Sequence, residues 1–209
     1  MYSSYGGLGG YGAFPPVIKN LLIINGLVFL AQLVINFGLF VGWFGLWPFG
    51  NGFQVYQLVT YSFLHGGISH ILFNMFALWM FGAQIENTWG SRRFAIYYFA
   101  CVIGAGFVQL AATYFSGAVW PTIGASGGVF GILLAFGMMF PEQRIMLLFP
   151  PIPMKAKYFV IGYGILELFF ATTDLQPGVA NLAHLGGMAA GFLMIMYWRG
   201  RLPIKPRYG

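Results

Sequence analysis

The sequence predicts an all-α membrane protein, a single bundle of six transmembrane helices with a short fourth one. Three observations predict it. Hydrophobic residues make up 59% of the chain and charged residues only 7%, against roughly 25% charged in an ordinary soluble domain. Ten basic and four acidic side chains cannot cover a 209-residue globule in water, and a bilayer requires no such cover. Apolar runs of spanning length recur six times, and every Lys and Arg falls on one side of a six-span arrangement. The net charge of +6 therefore reads as a topology signal rather than a nucleic-acid surface. A single cysteine, Cys101, excludes an internal disulfide.

The first 16 residues are uncharged and rich in Gly and Tyr, a composition that cannot bury a core and predicts a flexible tail. This stretch has neither the basic start nor the cleavage site of a signal peptide. Apolar runs follow at 18–40, 67–86, 93–115, 126–140, 157–173 and 180–198. Crossing the hydrocarbon takes roughly 20 helical residues. The fourth run reaches only about 22 Å, so it must begin below the surface, fed by a loop that dips into the protein. Loop 41–66 carries Trp43, Phe44, Trp47, Pro48 and Phe49 and no charge, the character of a segment lying in the membrane interface. Residues 199–209 form a short basic tail.

The charges set the orientation. Lys19, Arg92, Arg93, Arg144, Lys155, Lys157, Arg199, Arg201, Lys205 and Arg207 all lie on one face of the six-span arrangement. The opposite loops, 41–66, 116–125 and 174–179, hold Asp174 alone among charged residues. The positive-inside rule then puts both termini in the cytoplasm. Internal sequence repeats of the kind found in transporter halves are absent from the pattern.

Polar groups within hydrocarbon must be satisfied or used. His65, His70 and Asn74 open the second span, Ser126 the fourth, and His184 the sixth. By the topology above, all lie at the outer ends of their helices and share one depth. The plain readings are a serine bonded to its own helix and histidines that merely pack. A zinc site has weak support: His65 and His70 are five residues apart, about 140° around a helix, and no HExxH occurs.

The catalytic reading has more. Ser126 lies between Gly124 and Gly127–Gly128, where a loop becomes a helix whose free N–H groups face a developing oxyanion. Gly127/Gly131 and Gly187/Gly191 are small-xxx-small pairs that let the fourth and sixth helices approach, with His184 on the same face as Gly187 and Gly191. His184 would then be the general base. No Asp or Glu is positioned by the sequence to orient it, so the expectation is a Ser–His dyad. Phe130, one turn below Ser126, can fix the imidazole by stacking. His70 and Asn74 share a helical face and are candidate oxyanion donors.

The segments HILFN (70–74), GASGGVFG (124–131) and AHLGGMAAG (183–191) resemble, in order, the three signature motifs of the rhomboid intramembrane serine proteases. The resemblance covers about residues 17–198. It implies a rhomboid-type bundle with a partly encircled fourth helix, Ser126 as nucleophile and His184 as base. His70 and Asn74 would serve the oxyanion hole with the Ser126 N–H. ENTWGSRRF (86–94) also resembles the family's junction between second and third spans, where Glu86 has a structural role. Phe130 stands where many members have Tyr, and Tyr56–Gln57 where the first outer loop of relatives often has Trp-Arg.

Other polar residues receive plainer readings. Glu167, inside the fifth span, is expected to be a protonated, hydrogen-bonded packing residue. Glu86 reads as an interfacial ion pair with Arg92 and Arg93, Cys101 as a small packing residue, and Asn25, Gln32, Asn36 and Gln109 as interhelical or interface groups. The expected activity is peptide hydrolysis in or beside a substrate's transmembrane segment, without metal or organic cofactor. Expected partners are transmembrane protein substrates and membrane lipids, not nucleic acid, in the plasma (inner) membrane of a prokaryote. The rivals are a non-catalytic rhomboid-like chaperone or substrate-binding protein, which would be expected to lack Ser126 or His184, and a channel, which needs polar groups along a complete path.

Overall fold

The computed structural model describes residues 14–146, 151–173 and 180–203. Most of the N-terminal tail, loop 174–179 with Asp174, and the basic residues Lys205 and Arg207 lie outside the described residues. Within them, each of the six apolar runs overlaps a helix of 14 residues or more.

Helix α1, Pro16–Val34, starts on a proline, which has no N–H to leave unpaired. Its next two amides are capped from elsewhere: Val17 N donates to Glu86 Oε1 (2.9 Å) and Ile18 N to Glu86 Oε2 (2.8 Å). Ser91 Oγ also donates to Oε1 at 2.7 Å. Glu86 is thus a buried cap rather than an interfacial partner of Arg92 and Arg93. The reason is electrostatic: the orphan amides and positive end of a helix offer a carboxylate more than an exposed guanidinium does.

The first apolar run is not one helix to residue 40. It breaks after Val34, and Asn36 Oδ1 accepts from Leu39 N (3.1 Å) to cap a new short helix, α2, Phe37–Phe44. The outer loop that follows holds α3, Gln57–Thr60, and a 3₁₀ turn at Tyr61–Phe63. It is held from within. Gln57 Oε1 accepts from Trp47 N and Gln54 N, its Nε2 donates to Trp43 O, and Tyr56 Oη donates to the same carbonyl. Tyr56–Gln57 therefore fastens the loop without an arginine.

Helices α4, Ile68–Trp89, and α5, Ser91–Ser116, are joined at Gly90. Helix α6, Ser126–Met139, is followed by a small antiparallel hairpin, β1, Arg144–Met146, with β2, Pro153–Lys155. The hairpin pattern is absent from the sequence reading. Beside it, Lys155 and Lys157 pair with Glu142 and hold its exposed carboxyl well below the usual range, at about 2. Helices α7, Ala156–Thr173, and α8, Asn181–Trp198, complete the fold.

Helix α6 has only 14 residues, most of them buried, and packs against α4, α5, α7 and α8. The α6–α8 approach is so close that a Cβ on Gly187 would lie 1.9 Å from Gly127 O. Gly191 does not share in it. A Cβ there would meet Tyr97 Oη of α5 at 2.3 Å, so the second half of the α8 motif serves α5 instead. Two buried hydroxyls tie α5 and the outer loop into the core: Tyr97 Oη donates to Gly131 O (2.7 Å) and Tyr61 Oη to Val102 O (2.8 Å). Helices α1, α4 and α5 are long and apolar enough to cross a membrane. Their outward faces show Leu27, Leu30, Leu33, Leu72, Phe73, Trp79 and Phe107, an apolar extent that lipid, not water, covers.

Candidate active site

Ser126 begins α6. The chain reaches it through Gly124, whose φ of +125° is a conformation that side-chain-bearing residues rarely adopt. Gly124 N donates to Tyr61 O (2.9 Å), and Leu46 and Thr122 exchange both backbone hydrogen bonds (2.9 and 3.0 Å). The outer loop thereby fixes the segment that carries the serine. As the first residue of a helix, Ser126 has an amide without an intrahelical acceptor.

His184 lies in the first turn of α8, and its Nε2 is 2.7 Å from Ser126 Oγ. Phe130 stacks on the imidazole with ring centroids 4.4 Å apart and planes inclined by 6°. The contact needs no hydroxyl at position 130. Sequence reasoning brings these three residues together, and the structure places them so.

His70 and Asn74 stand on the facing side. Gly66 N donates to His70 Nδ1 at 3.2 Å. In a neutral ring the proton is then on Nε2. That nitrogen lies toward Ser126: a Cβ built on Gly124 would be 2.8 Å from His70 Nε2 and 3.8 Å from Ser126 Oγ. Asn74 Nδ2 donates to His70 O (2.8 Å), which leaves a second amide proton on the same nitrogen. His65 is not part of the constellation. It is buried edge-on against His70 at 5.0 Å, and its backbone exchanges hydrogen bonds with the Gln32 side chain.

A cavity of about 780 Å³ joins these groups. Ser126, His184, His70 and Asn74 line it together with Gly66, Gln109, Asn181, Ala118 and the 120–123 segment. Gln109, read from sequence as interhelical, faces this space.

Glu167 is buried and hydrogen-bonded, as expected of it, but its partner is unexpected. Its Oε2 is 2.9 Å from His184 Nδ1 and also accepts from Asn181 Nδ2 at 2.9 Å. The imidazole therefore does have a carboxyl partner, against the reading that none was positioned to orient it. The physical reason is that α7 packs on both α6 and α8 and turns its one acidic side chain to the start of α8. A signal existed. Asn181 and His184 are i, i+3 neighbours on one face of α8, and Glu167 lies about 9 Å from the outer end of its helix, the depth of that first turn.

Residues 52–201 match the Rhomboid domain family. Among curated proteins, the chain is 31% identical over 159 residues to RHOMBOID-like protein 4 of Arabidopsis thaliana, a match covering 76% of this chain and 37% of the relative. It is 33% identical over 140 residues to rhomboid protease GluP of Bacillus subtilis (66% and 25%). With rhomboid protease GlpG of Yersinia pestis it shares 26% over 193 residues (89% and 63%). The chain spans less than two fifths of the length of the first two of these relatives.

Proposed function

We propose that this chain, which belongs to the rhomboid family, is an intramembrane serine endopeptidase that cuts transmembrane-segment substrates near the outer membrane boundary. The family includes serine intramembrane proteases. The observation that carries the reading is the 2.7 Å contact between Ser126 Oγ and His184 Nε2 at the wall of a cavity with two further polar donors.

On this reading His184 Nε2 takes the Ser126 proton as Oγ adds to the scissile carbonyl. The oxyanion so formed receives hydrogen bonds from His70 Nε2–H, Asn74 Nδ2–H and the Ser126 amide. Collapse breaks the C–N bond, and the leaving amine takes the proton from His184. Water from the cavity then adds to the acyl-enzyme by the same relay, releasing the acid and restoring Ser126. Residues 17–198 form the catalytic unit, flanked by the tail 1–16 and the basic segment 199–209.

The same proposal includes six spans, cytoplasmic termini and outward loops at 41–66 and 116–125, supported by the one-sided basic residues. The plasma (inner) membrane of a prokaryote is the proposed location, supported by the bacterial relatives. Purified protein in liposomes with a generic single-span substrate tests the activity. Cleavage by the wild type and its loss in Ser126→Ala are expected. Intact substrate that co-purifies with the wild type would instead favour a rhomboid-like binding protein.

A further inference from the structure

We infer that Glu167 is a positioning residue for the proposed base, converting the expected Ser–His pair into a Ser–His–Glu relay whose third member comes from α7. The inference rests on the proposed reaction of Ser126 and His184.

A neutral imidazole has one proton for two ring nitrogens. Only the tautomer protonated on Nδ1 presents a lone pair at Nε2 to receive the Ser126 proton. Glu167 Oε2, 2.9 Å from Nδ1, is a carboxyl oxygen placed to accept from that nitrogen, and in doing so it selects that tautomer. Asn181 Nδ2–H donates to the same oxygen, so Oε2 already serves as an acceptor at the start of α8. Glu167 and His184 are each only 8% exposed, so solvent screens their interaction little. Phe130 holds the ring face while Glu167 holds its edge. Together they leave the imidazole no rotation that keeps both contacts.

The proton balance is simple. Ser126 Oγ loses its proton to His184 Nε2, the ring becomes a cation, and the proton passes on to the leaving amine. Glu167 never gains it. The Nδ1–H bond to Glu167 strengthens as the ring becomes a cation, an interaction stronger in the transition state than in the resting enzyme, so it raises kcat rather than lowering KM. The placement on α7 adds a condition: the relay is complete only while α7 lies against the first turn of α8.

The test compares Glu167→Gln, Glu167→Leu and Glu167→Asp with the wild type in one lipid mixture, reading kcat and KM separately and the acylation rate with a fluorophosphonate probe. Gln is nearly isosteric, yet its amide N–H donates to Nδ1 and stabilises the wrong tautomer. The expected kcat loss in Glu167→Gln is about 10²–10⁴-fold, at least as large as in Glu167→Leu, with KM little changed and partial recovery in Glu167→Asp. A packing role predicts the reverse order, with Gln the mildest change. A Gln variant as fast as the wild type beside a slow Leu variant overturns the inference. The second readout needs no turnover. With three histidines in the chain, selective ¹⁵N-histidine labelling should give one strongly downfield Nδ1 proton, present in wild type and Ser126→Ala and lost in Glu167→Gln. Its absence from the wild type overturns the inference whether or not the variants fold. Its presence in a protein that cleaves nothing would sink the protease reading while sustaining the Glu167–His184 bond.

Discussion

At the scale of single residues, the candidate site is built from side chains already held by one hydrogen bond each. His70 gives Nδ1 to the Gly66 amide, Asn74 gives one amide proton to its own helix, and His184 gives Nδ1 to Glu167. What remains for the cavity is Nε2 of each histidine and the second amide proton of Asn74. Losing one preorganised donor costs roughly 10²–10³ in kcat, so His70→Ala and Asn74→Ala should be slow but measurable in a fluorogenic assay. A wild-type rate for Asn74→Ala would reduce it to helix glue. Gly124→Ala should be worse than either, because its Cβ would occupy the space 2.8 Å from His70 Nε2 on a backbone with φ of +125°. Fluorophosphonate labelling of Ser126 is expected to disappear in that variant, and undiminished labelling would show that the oxyanion space lies elsewhere. The candidate residues themselves were legible in the sequence because Ser126, His184, His70 and Asn74 each interrupt an apolar helix at one depth. Glu167 is buried and hydrogen-bonded as expected, but its contact with His184 is not legible, because linear spacing along two separate helices does not say which way a side chain faces.

At the scale of elements, α6 and α8 are pressed together at glycine. Gly187 is one turn beyond His184, and Gly127 directly follows Ser126, so the backbone contact between them sets the distance from base to nucleophile. A Cβ at 187 would lie 1.9 Å from Gly127 O. Gly187→Ala should therefore cost about 1–3 kcal/mol of stability and slow acylation as the helices separate. Gly162→Ala on α7, where a Cβ would meet nothing within 4 Å, is the control expected to alter neither thermal denaturation nor labelling. Equal behaviour of the two would mean that the close approach does not set the geometry. Helix positions followed from hydropathy because α1, α4, α5, α6, α7 and α8 are each continuous apolar stretches. The break at Asn36, the cap supplied by Glu86 and the hairpin of β1 and β2 did not follow. They depend on local hydrogen bonds, which leave little trace in hydropathy.

At the scale of the whole molecule, the proposed orientation and the buried site make joint demands on a substrate. In a Cys101→Ala background, an impermeant thiol reagent added outside should label Val119→Cys and not Arg201→Cys, and the reverse would invert the topology. A transmembrane helix hides its carbonyls in its own hydrogen bonds, so a substrate must present an extended stretch to the cavity beside Ser126. Gly and Pro permit that at lower cost than Leu. Cleavage should fall steeply when helix-breaking residues downstream of the scissile bond are replaced by Leu with the bond itself unchanged. A constant rate would show that side chains at the bond select the substrate. The separation of the proposed nucleophile and base along the chain also bears on how the protein is made. His184 follows Ser126 by 58 residues, and Glu167 lies between them. A ribosome delivers the serine first, into a membrane where its base does not yet exist. On the proposed chemistry a partly synthesised molecule is inert toward the other nascent chains at the translocon. Latency during biogenesis is then a consequence of residue order within one polypeptide, released when α8 docks.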